Sequence, residues 1–172
     1  MIKKSPLNYV GGKAKIMKEL LEIFPKETNR FIDLFCGGLN VSLNVNYQNI
    51  LANDICYQLI DFYKFIDDDF VDKVKQTVTN YSLSKTNRQG YLQLRSDYNK
   101  DKDPVKFFAL ITNSFNYQIR FNNKGEYNMP FGKDRSYFSK RMEDNLQNLI
   151  NFIISKNIIL IINLTIWMDT CI

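Results

Sequence analysis

Two patterns of hydrophobic and polar residues run along this chain, and the first predicts a pair of neighbouring strands. The run 31–35 is apolar except for Asp33 and is followed by Gly37 and Gly38. A short apolar run that ends in glycines is typical of a buried strand that turns sharply, here into a short helix. A second apolar run, 49–52, is predicted to form a strand beside the first.

The second pattern predicts amphipathic helices, because six segments place apolar residues at helical spacing. Pro25 ends the first helix, and Asp103 followed by Pro104 supplies the capping acid and first-turn proline of the fifth. Ile16 and Ile55 are among the side chains expected to be buried. The predicted helices are 14–24, 55–66, 70–81, 84–100, the segment that begins at Pro104, and 139–153.

A β-hairpin is predicted between the last two helices. Residues 117–121 alternate, 122–125 have the composition of a turn, and 127–129 alternate back. A two-stranded ribbon that carries Arg, Asn, Gln and Lys fits a DNA groove, where Arg reads guanine and Asn or Gln reads adenine. Three aromatic side chains of the segment could equally belong to the core: Phe115, Tyr117 and Phe121.

The tail, 157–168, has almost no charge. A membrane span needs about 20 such residues, so a buried strand or a misread tail is the better interpretation, and no membrane partner is expected. Asn163 and Trp167 near its end are candidates for a substitute catalytic role.

Composition fits one globular domain with a basic surface. The 172 residues include 23 Lys and Arg against 18 Asp and Glu, a net charge of +5, which suits nucleic acid but also many other soluble proteins. The excess is concentrated in 115–141, with six basic and two acidic residues, a local charge of +4. The basic residues of this stretch are Arg120, Lys124, Lys133, Arg135, Lys140 and Arg141.

Several kinds of site are excluded or disfavoured. With no histidine in the chain, a Ser-His-Asp triad, a Cys-His pair and an H-E-x-x-H zinc site are impossible. Asp67, Asp68 and Asp69 suggest a metal site, but three consecutive carboxylates on a helix cannot face one ion, so a solvated helix end is expected and no metal.

The three cysteines, Cys36, Cys56 and Cys171, lack C-x-x-C spacing, and no signal peptide opens the chain, which favours a reducing cytoplasm. Cys36 is interpreted as a small buried residue in a tight turn.

The glycine pair at a strand end indicates a ligand site. Glycines let backbone N–H groups approach a ligand, and Asp54, 21 positions after Asp33, stands at the next strand end, where a carboxylate typically accepts ribose hydroxyls. Without G-x-G-x-x-G there is no long phosphate cradle, so a ligand with a ribose but no required phosphate fits, such as S-adenosyl-L-methionine (AdoMet). A glycine pair can also be a plain chain reversal.

Four stretches, in the same order, resemble the amino-terminal motifs of Dam-type (D12 class) DNA adenine-specific methyltransferases, with bacteriophage-encoded members looking most similar. They are Tyr9-Val10-Gly11-Gly12-Lys13, Phe31 to Gly38, Leu51-Ala52-Asn53-Asp54-Ile55, and Asn116 to Lys133. The resemblance covers about Ser5 to Ile150.

This resemblance implies a fold, a cofactor and a site. The fold is α/β, a partial Rossmann-like AdoMet-dependent methyltransferase fold with a mostly helical target-recognition insert that carries the hairpin. The implied parts are 1–69, AdoMet-binding; 70–141, DNA target recognition; and 142–172, a helix and apolar tail. The implied AdoMet contacts are Tyr9, Lys13, Asp33, Phe35, Gly37, Gly38 and Asp54. The implied contacts to double-stranded DNA are Asn116, Arg120, Asn122, Lys124 and Arg135.

One family motif is absent. The family holds the extruded adenine with Asp-Pro-Pro-Tyr, whereas the only Asp-Pro here is Asp103-Pro104, followed by Val105. We therefore expect a truncated, inactive form whose tail was replaced by a frameshift or premature stop near Ser155. A residual binding module, or half of a split enzyme complemented by another chain, are the alternatives. An unrelated alternative is a small nucleotide-binding protein.

Overall fold

Strands and helices are described for residues 2–162 in a computed structural model of the chain. Within that range there are three strands and six α-helices, and a short 3₁₀ helix, Lys13–Ile16, precedes the first α-helix. The strands are β1 (Arg30–Asp33), β2 (Asn49–Asp54) and β3 (Asn157–Ile162). The helices are α1 (Met17–Ile23), α2 (Tyr57–Phe65), α3 (Phe70–Asn80), α4 (Arg88–Asp101), α5 (Pro104–Asn113) and α6 (Lys140–Ser155).

The three strands form one parallel sheet in the order β1-β2-β3. Phe31 pairs with Ile50, and Ile50 pairs in turn with Ile158. The predicted pairing of the first two apolar runs and the mixed α/β class are therefore confirmed. Because all three strands are parallel, the carboxyl ends of β1 and β2, with the residues that follow them, meet at one edge of the sheet.

The expectation that the first strand is fully buried is wrong. Ile50 and Ala52 of β2 are buried, but Ile32, in register with Leu51, is 50% exposed on the opposite face. Phe35 follows the strand end and is 87% exposed. Side chains alternate between the two faces of a strand, and only one face of this sheet is covered within the described residues.

The tail strand and the connection after the glycines also differ from expectation. β3 forms as predicted over Asn157–Ile162, but its side chains are only exposed or half-buried. The later part of the predicted strand, with Asn163 and Trp167, lies outside the described residues. Successive turns over 40–44 replace the predicted short helix, although the Leu43 N–H donates to the Leu39 carbonyl as in a helix.

The helices form a core centred on α5. Phe107 to Asn113 are all buried, as expected for a helix that is apolar around its whole circumference. Phe108 stacks on Phe62 of α2, with ring centroids 5.5 Å apart. The predicted start is confirmed, because the Asp103 side chain accepts the Lys106 N–H at 2.8 Å and Pro104 opens the first turn.

Three predicted helices begin later than expected: α4 begins at Arg88 instead of residue 84, and the other two corrections concern isoleucines. The first predicted helix is divided between the 3₁₀ turn and α1, which leaves Ile16 exposed while Met17 is buried. Ile55 precedes α2 instead of belonging to it, and it is 77% exposed at the end of β2. No helix within residues 2–162 has the length and apolar content to cross a bilayer.

The predicted β-hairpin forms only in part: its turn and antiparallel arms are present, but two isolated bridges stand in place of regular strands. Phe121 pairs with Tyr127, and Ser114 pairs with Phe131. The two arms are joined by the Asn122 N–H, which donates to the Glu126 carbonyl at 2.9 Å, and by the Asn128 N–H, which donates to the Arg120 carbonyl at 3.1 Å. The backbone groups of Tyr127 face away from the other arm, and Asn99 of α4 binds both, accepting from the N–H at 2.8 Å and donating to the carbonyl at 3.1 Å. We call residues 114–131 the bridged loop.

Of the three aromatic residues with two possible roles, only Phe121 packs on the core. Its ring lies 5.8 Å from that of Phe107 and 5.7 Å from that of Tyr127. Phe115 is 45% exposed, and Tyr117 is half-buried.

Candidate functional site

The glycine pair and Asp54 form a rigid corner where β1 and β2 end, which we call the glycine corner (Gly37, Gly38 and Asp54). Gly37 has a positive φ of 44°, which favours glycine. Its N–H donates to Asp54 Oδ2 at 2.8 Å, and its carbonyl accepts from the Tyr63 hydroxyl at 2.6 Å. The backbone of Gly37 is therefore fixed from both sides by buried side chains.

The Asp54 carboxylate joins the turn after β1 to the turn after β2. It is buried, and Oδ1 accepts the Cys56 N–H at 2.9 Å while Oδ2 accepts that of Gly37. A carboxylate oxygen can accept two hydrogen bonds, so each oxygen keeps one acceptor site after these contacts. Asp54 thus faces the glycine corner and still has the capacity to bind hydroxyl groups of a ligand.

Tyr9 crosses over the glycine corner. A Cβ atom built on Gly37 would lie 2.7 Å from Tyr9 Cδ1, so the ring rests directly against the glycine. Burial, and next the negative charges that Cys56 and Asp54 can carry, raises the pKa of the Tyr9 hydroxyl to about 12. The residues before α1, 2–15, which we call the opening segment, therefore fold over this corner.

Two asparagines that the sequence analysis overlooked hold the opening segment in place. Asn40 Oδ1 accepts the Ser5 N–H at 3.3 Å. Asn44 binds both backbone groups of Lys3, accepting from its N–H at 2.8 Å and donating to its carbonyl at 2.9 Å. The only available signal was their spacing of four residues directly after the glycine pair.

Two large apolar side chains remain uncovered beside this polar corner. Phe35 follows β1 and Ile55 follows β2, and they are 87% and 77% exposed. Exposed apolar side chains next to buried polar groups are typical of a ligand site. Ile55 was expected in the core, so its place at the site was missed.

Asp33 and Lys13, the other candidate cofactor residues, are engaged within the chain. Asp33 is buried and accepts from the Ser42 hydroxyl at 2.7 Å; burial raises the pKa of its carboxyl. Lys13 is exposed, and its ammonium donates to the Gly11 carbonyl at 3.0 Å.

Arg120, Lys124 and Arg135, among the candidate DNA residues, are exposed. The Arg120 guanidinium is held out along the bridged loop by Asn128, whose Oδ1 accepts from Nε at 2.8 Å and whose carbonyl accepts at 3.0 Å. Arg120 therefore remains accessible to a partner.

The two candidate asparagines have local partners. Asn122 Oδ1 accepts the N–H groups of Lys124 and Glu126, and its amide donates to the Glu126 carboxylate, so its side chain organises the turn. Asn116 has a positive φ of 53° and an exposed side chain, while its carbonyl accepts from Asn8 Nδ2 at 2.9 Å. This hydrogen bond joins the bridged loop to the opening segment.

A metal site and a nucleophilic cysteine both have little support in the described part of the chain. Residues 2–162 contain no group of three or more His, Cys, Asp or Glu side chains that could hold a metal ion. Cys36 is buried, as predicted, and burial raises the pKa of its thiol far above the ordinary value, which disfavours a nucleophilic thiolate.

A sequence model of the D12 class N6 adenine-specific DNA methyltransferase family matches residues 9–165. The chain belongs to this family. The match continues past Ser155, and 157–162 form β3, so the family pattern extends to residue 165 instead of being lost near Ser155.

Three similar proteins carry names that agree with this assignment. The type II methyltransferase M.FokI of Planomicrobium okeanokoites is 42% identical over 159 residues, which are 90% of this chain and 25% of the relative. The modification methylase StsI of Streptococcus sanguinis is 39% identical over 151 residues, 86% of this chain and 23% of the relative. A bacteriophage member, the DNA N-6-adenine-methyltransferase of Escherichia phage P1, is 32% identical over 142 residues, 78% of this chain and 18% of the relative.

The chain thus spans a quarter or less of the length of these relatives. The match therefore shows the family of this chain, while the activities that these names state belong to the whole, longer relatives.

Proposed function

We propose that this chain carries the donor-binding and target-recognition parts of a site-specific methyltransferase, which moves the methyl group of AdoMet to the amino nitrogen of adenine in duplex DNA. Residues 1–69 and 142–172 are assigned to the catalytic domain and 70–141 to target recognition. The observation that supports the proposal is the glycine corner, where Asp54 keeps acceptor capacity beside the uncovered Phe35 and Ile55.

The residues at the corner fit AdoMet. The free acceptor sites of Asp54 suit the two ribose hydroxyls, and the exposed side chains of Phe35 and Ile55 suit an adenine ring. Gly37 and Gly38 let the opening segment close over the corner, since a Cβ atom at Gly37 would lie 2.7 Å from Tyr9 and one at Gly38 would lie 3.4 Å from the Leu7 carbonyl. When bound, AdoMet supplies an electrophilic methyl group on its sulfonium.

The amino-acid end of AdoMet would meet charged groups of the opening segment and β1. Lys13 has an exposed ammonium suited to a carboxylate, and Tyr9 closes the corner from above. Asp33, at the end of β1, suits an ammonium group, because a positive charge nearby would offset the burial of its carboxylate. These contacts hold and orient the donor.

DNA recognition is assigned to the exposed side chains of the bridged loop and the segment after it. Arg120 and Asn116, which are exposed, are assigned to base edges, and the exposed Lys124 and Arg135 to phosphates or bases. Asn122 contributes by holding the turn that presents Lys124.

Turnover needs a group that these 172 residues do not contain. The sequence has no Asp-Pro-Pro-Tyr, and its only Asp-Pro, Asp103-Pro104, caps α5. We therefore assign donor binding and DNA binding to these 172 residues, and methyl transfer only to an assembly that also contains the motif.

Calorimetry with AdoMet, using ATP as a control, and fluorescence anisotropy with duplex DNA test the two binding functions. Transfer of labelled methyl groups to unmethylated duplex, with and without a polypeptide that carries Asp-Pro-Pro-Tyr, tests turnover. Binding of AdoMet but not ATP is expected, with transfer only in the complemented reaction. Equal binding of ATP would overturn the donor assignment in favour of a general nucleotide-binding protein.

A further inference from the structure

A cleft of about 970 Å³ lies beside the glycine corner. The cleft is lined by residues between 4 and 15 of the opening segment and by Tyr117 and Gln118 of the bridged loop. Ser139 and the first turns of α6 complete the lining. Tyr9 is shared by the cleft and the glycine corner, because its ring packs on Gly37 and Tyr9 also lines the cleft. A molecule in the cleft would therefore lie next to the proposed donor site.

The cleft is positively charged. Four cationic residues line it, and none of the described lining residues is acidic. They are Lys4, Lys15, Lys140 and Arg141. Lys140 is already paired with Glu143 and Asp144, at 3.2 and 3.1 Å. The other three form no ion pair within residues 2–162, so their charges are available to a ligand.

The beginning of α6 adds to this positive potential. Ser139 caps the helix by accepting the Met142 N–H, and the first turn lines the cleft. The N-terminus of a helix carries partial positive charge and unpaired N–H groups that favour anions. Helix α6 is 16 residues long, which is long enough for a helix dipole. The partial positive charge at its N-terminus therefore adds to the charges of the lysine and arginine side chains.

Aromatic rings and amides are interleaved with these charges. Tyr9, Tyr117 and Tyr137 line the cleft together with Asn8 and Gln118. Grooves that combine cationic side chains with aromatic rings are typical of sites that follow one nucleic-acid strand, where phosphates meet the cations and unstacked bases meet the rings.

We propose that this cleft binds the backbone of the DNA strand that carries the target adenine, with Lys4, Lys15 and Arg141 contacting its phosphates. The opening segment then has two functions, since Tyr9 closes the donor site while Lys4 and Lys15 position the strand. The inference rests on the proposed function, and it adds phosphate contacts outside the bridged loop.

The test measures binding of a random-sequence duplex by fluorescence anisotropy at several salt concentrations, because phosphate contacts do not depend on sequence. Lys15→Gln and Arg141→Gln are compared with Lys18→Gln on α1 and Arg30→Gln on β1, which are exposed and do not line the cleft. Each cleft variant should reduce the slope of log K against log salt by about 0.9 and the double variant by about 1.8. The two controls should keep the wild-type slope.

One outcome would overturn the inference while leaving the proposed function intact. Cleft variants that match the controls, while the wild type binds DNA, would show that the strand does not follow this cleft. Tighter binding of wild type to an RNA duplex of the same sequence would overturn DNA as the partner in both the inference and the proposed function. By contrast, a wild-type chain without affinity for any duplex would remove the DNA-binding part of the proposed function itself. Circular dichroism and thermal unfolding check that each variant is folded.

Discussion

The N–H of Gly37 donates to the carboxylate of Asp54 at 2.8 Å, joining the turn after β1 to the end of β2 across 17 positions of sequence. The other oxygen of Asp54 accepts from Cys56, so the same side chain shapes both loops at this edge of the sheet. Asp54, which is proposed to bind the ribose, thus also holds the surrounding backbone in place. These two roles predict different effects of substitution.

Asp54→Asn should weaken both the fold and the binding of AdoMet. An asparagine has one acceptor oxygen, so its amide NH₂ group would face one of the two backbone N–H donors that Asp54 satisfies. The free energy of unfolding should fall by about 1 to 3 kcal/mol, because a buried donor is left unpaired. AdoMet affinity should fall by about tenfold, which corresponds to about 1.4 kcal/mol.

Urea unfolding and calorimetry measure these two effects, and Asp61→Asn, an exposed acid of α2, is the matched control. Reduced stability with unchanged AdoMet affinity would leave Asp54 with the structural role alone.

Gly37→Ala should destabilise the chain more than Gly11→Ala. Both glycines have positive φ, 44° and 79°, so both substitutions carry the backbone cost of about 1 kcal/mol. Only at Gly37 would the new Cβ collide with a neighbour, since it would lie 2.7 Å from Tyr9, whereas nothing lies within 4 Å at Gly11. Urea unfolding of the two variants isolates the contact with Tyr9.

A double variant checks this explanation. If the collision with Tyr9 causes the additional loss, Gly37→Ala in a Tyr9→Ala background should cost no more than Gly11→Ala, giving a favourable coupling energy between the two sites. Additive effects would mean that the strain at Gly37 has another origin.

Local sequence signals were sufficient for much of the fold. Asp103 and Pro104 form a helix start through contacts within four residues, and α5 begins there as predicted. The parallel pairing of β1 with β2 followed from two apolar runs near each other in sequence. Such features depend on short-range hydrogen bonds and periodicity, which the residue pattern records directly.

The missed features depend on side chains that are distant in sequence. The bridged loop is anchored by Asn99 of α4, which binds both outward-facing backbone groups of Tyr127 from 28 positions away. Asn44 fixes Lys3 from 41 positions away. Periodicity predicts that an apolar residue such as Ile55 lies in the core. It cannot show that no other part of the chain covers this side chain.

Tyr9→Phe should make stability less dependent on pH between about 10 and 12. The raised pKa of Tyr9, caused first by burial, means that the folded state favours the neutral hydroxyl. Its contribution to stability is fully present below pH 10 and is lost as the pH rises through about 12. Phenylalanine keeps the ring over Gly37 without a titrating group.

Urea unfolding of wild type and Tyr9→Phe at pH 8 and at several values up to 12 provides the test. The wild type should lose more stability than the variant over the upper part of this range. If wild type and variant depend on pH in the same way, the pKa of the Tyr9 hydroxyl is not raised by burial in the folded state.

Arg120→Ala should reduce discrimination between DNA sequences by about 1 to 3 kcal/mol if its guanidinium reads a base edge. The guanidinium is exposed and is held by Asn128 in an orientation that a free arginine would rarely keep, so less side-chain entropy is lost when it binds. Asn128→Ala should therefore produce the same change to a smaller extent.

The measurement compares the affinity of each variant for a duplex selected by the wild type from a random pool with its affinity for a scrambled duplex. Lys124→Gln, which removes an exposed charge at the tip of the same turn, is the control and should weaken both affinities equally. A uniform loss for Arg120→Ala as well would mean that Arg120 contacts phosphate, because a phosphate contact contributes to binding without distinguishing one sequence from another. Base recognition would then have to come from Asn116 or another side chain of the bridged loop.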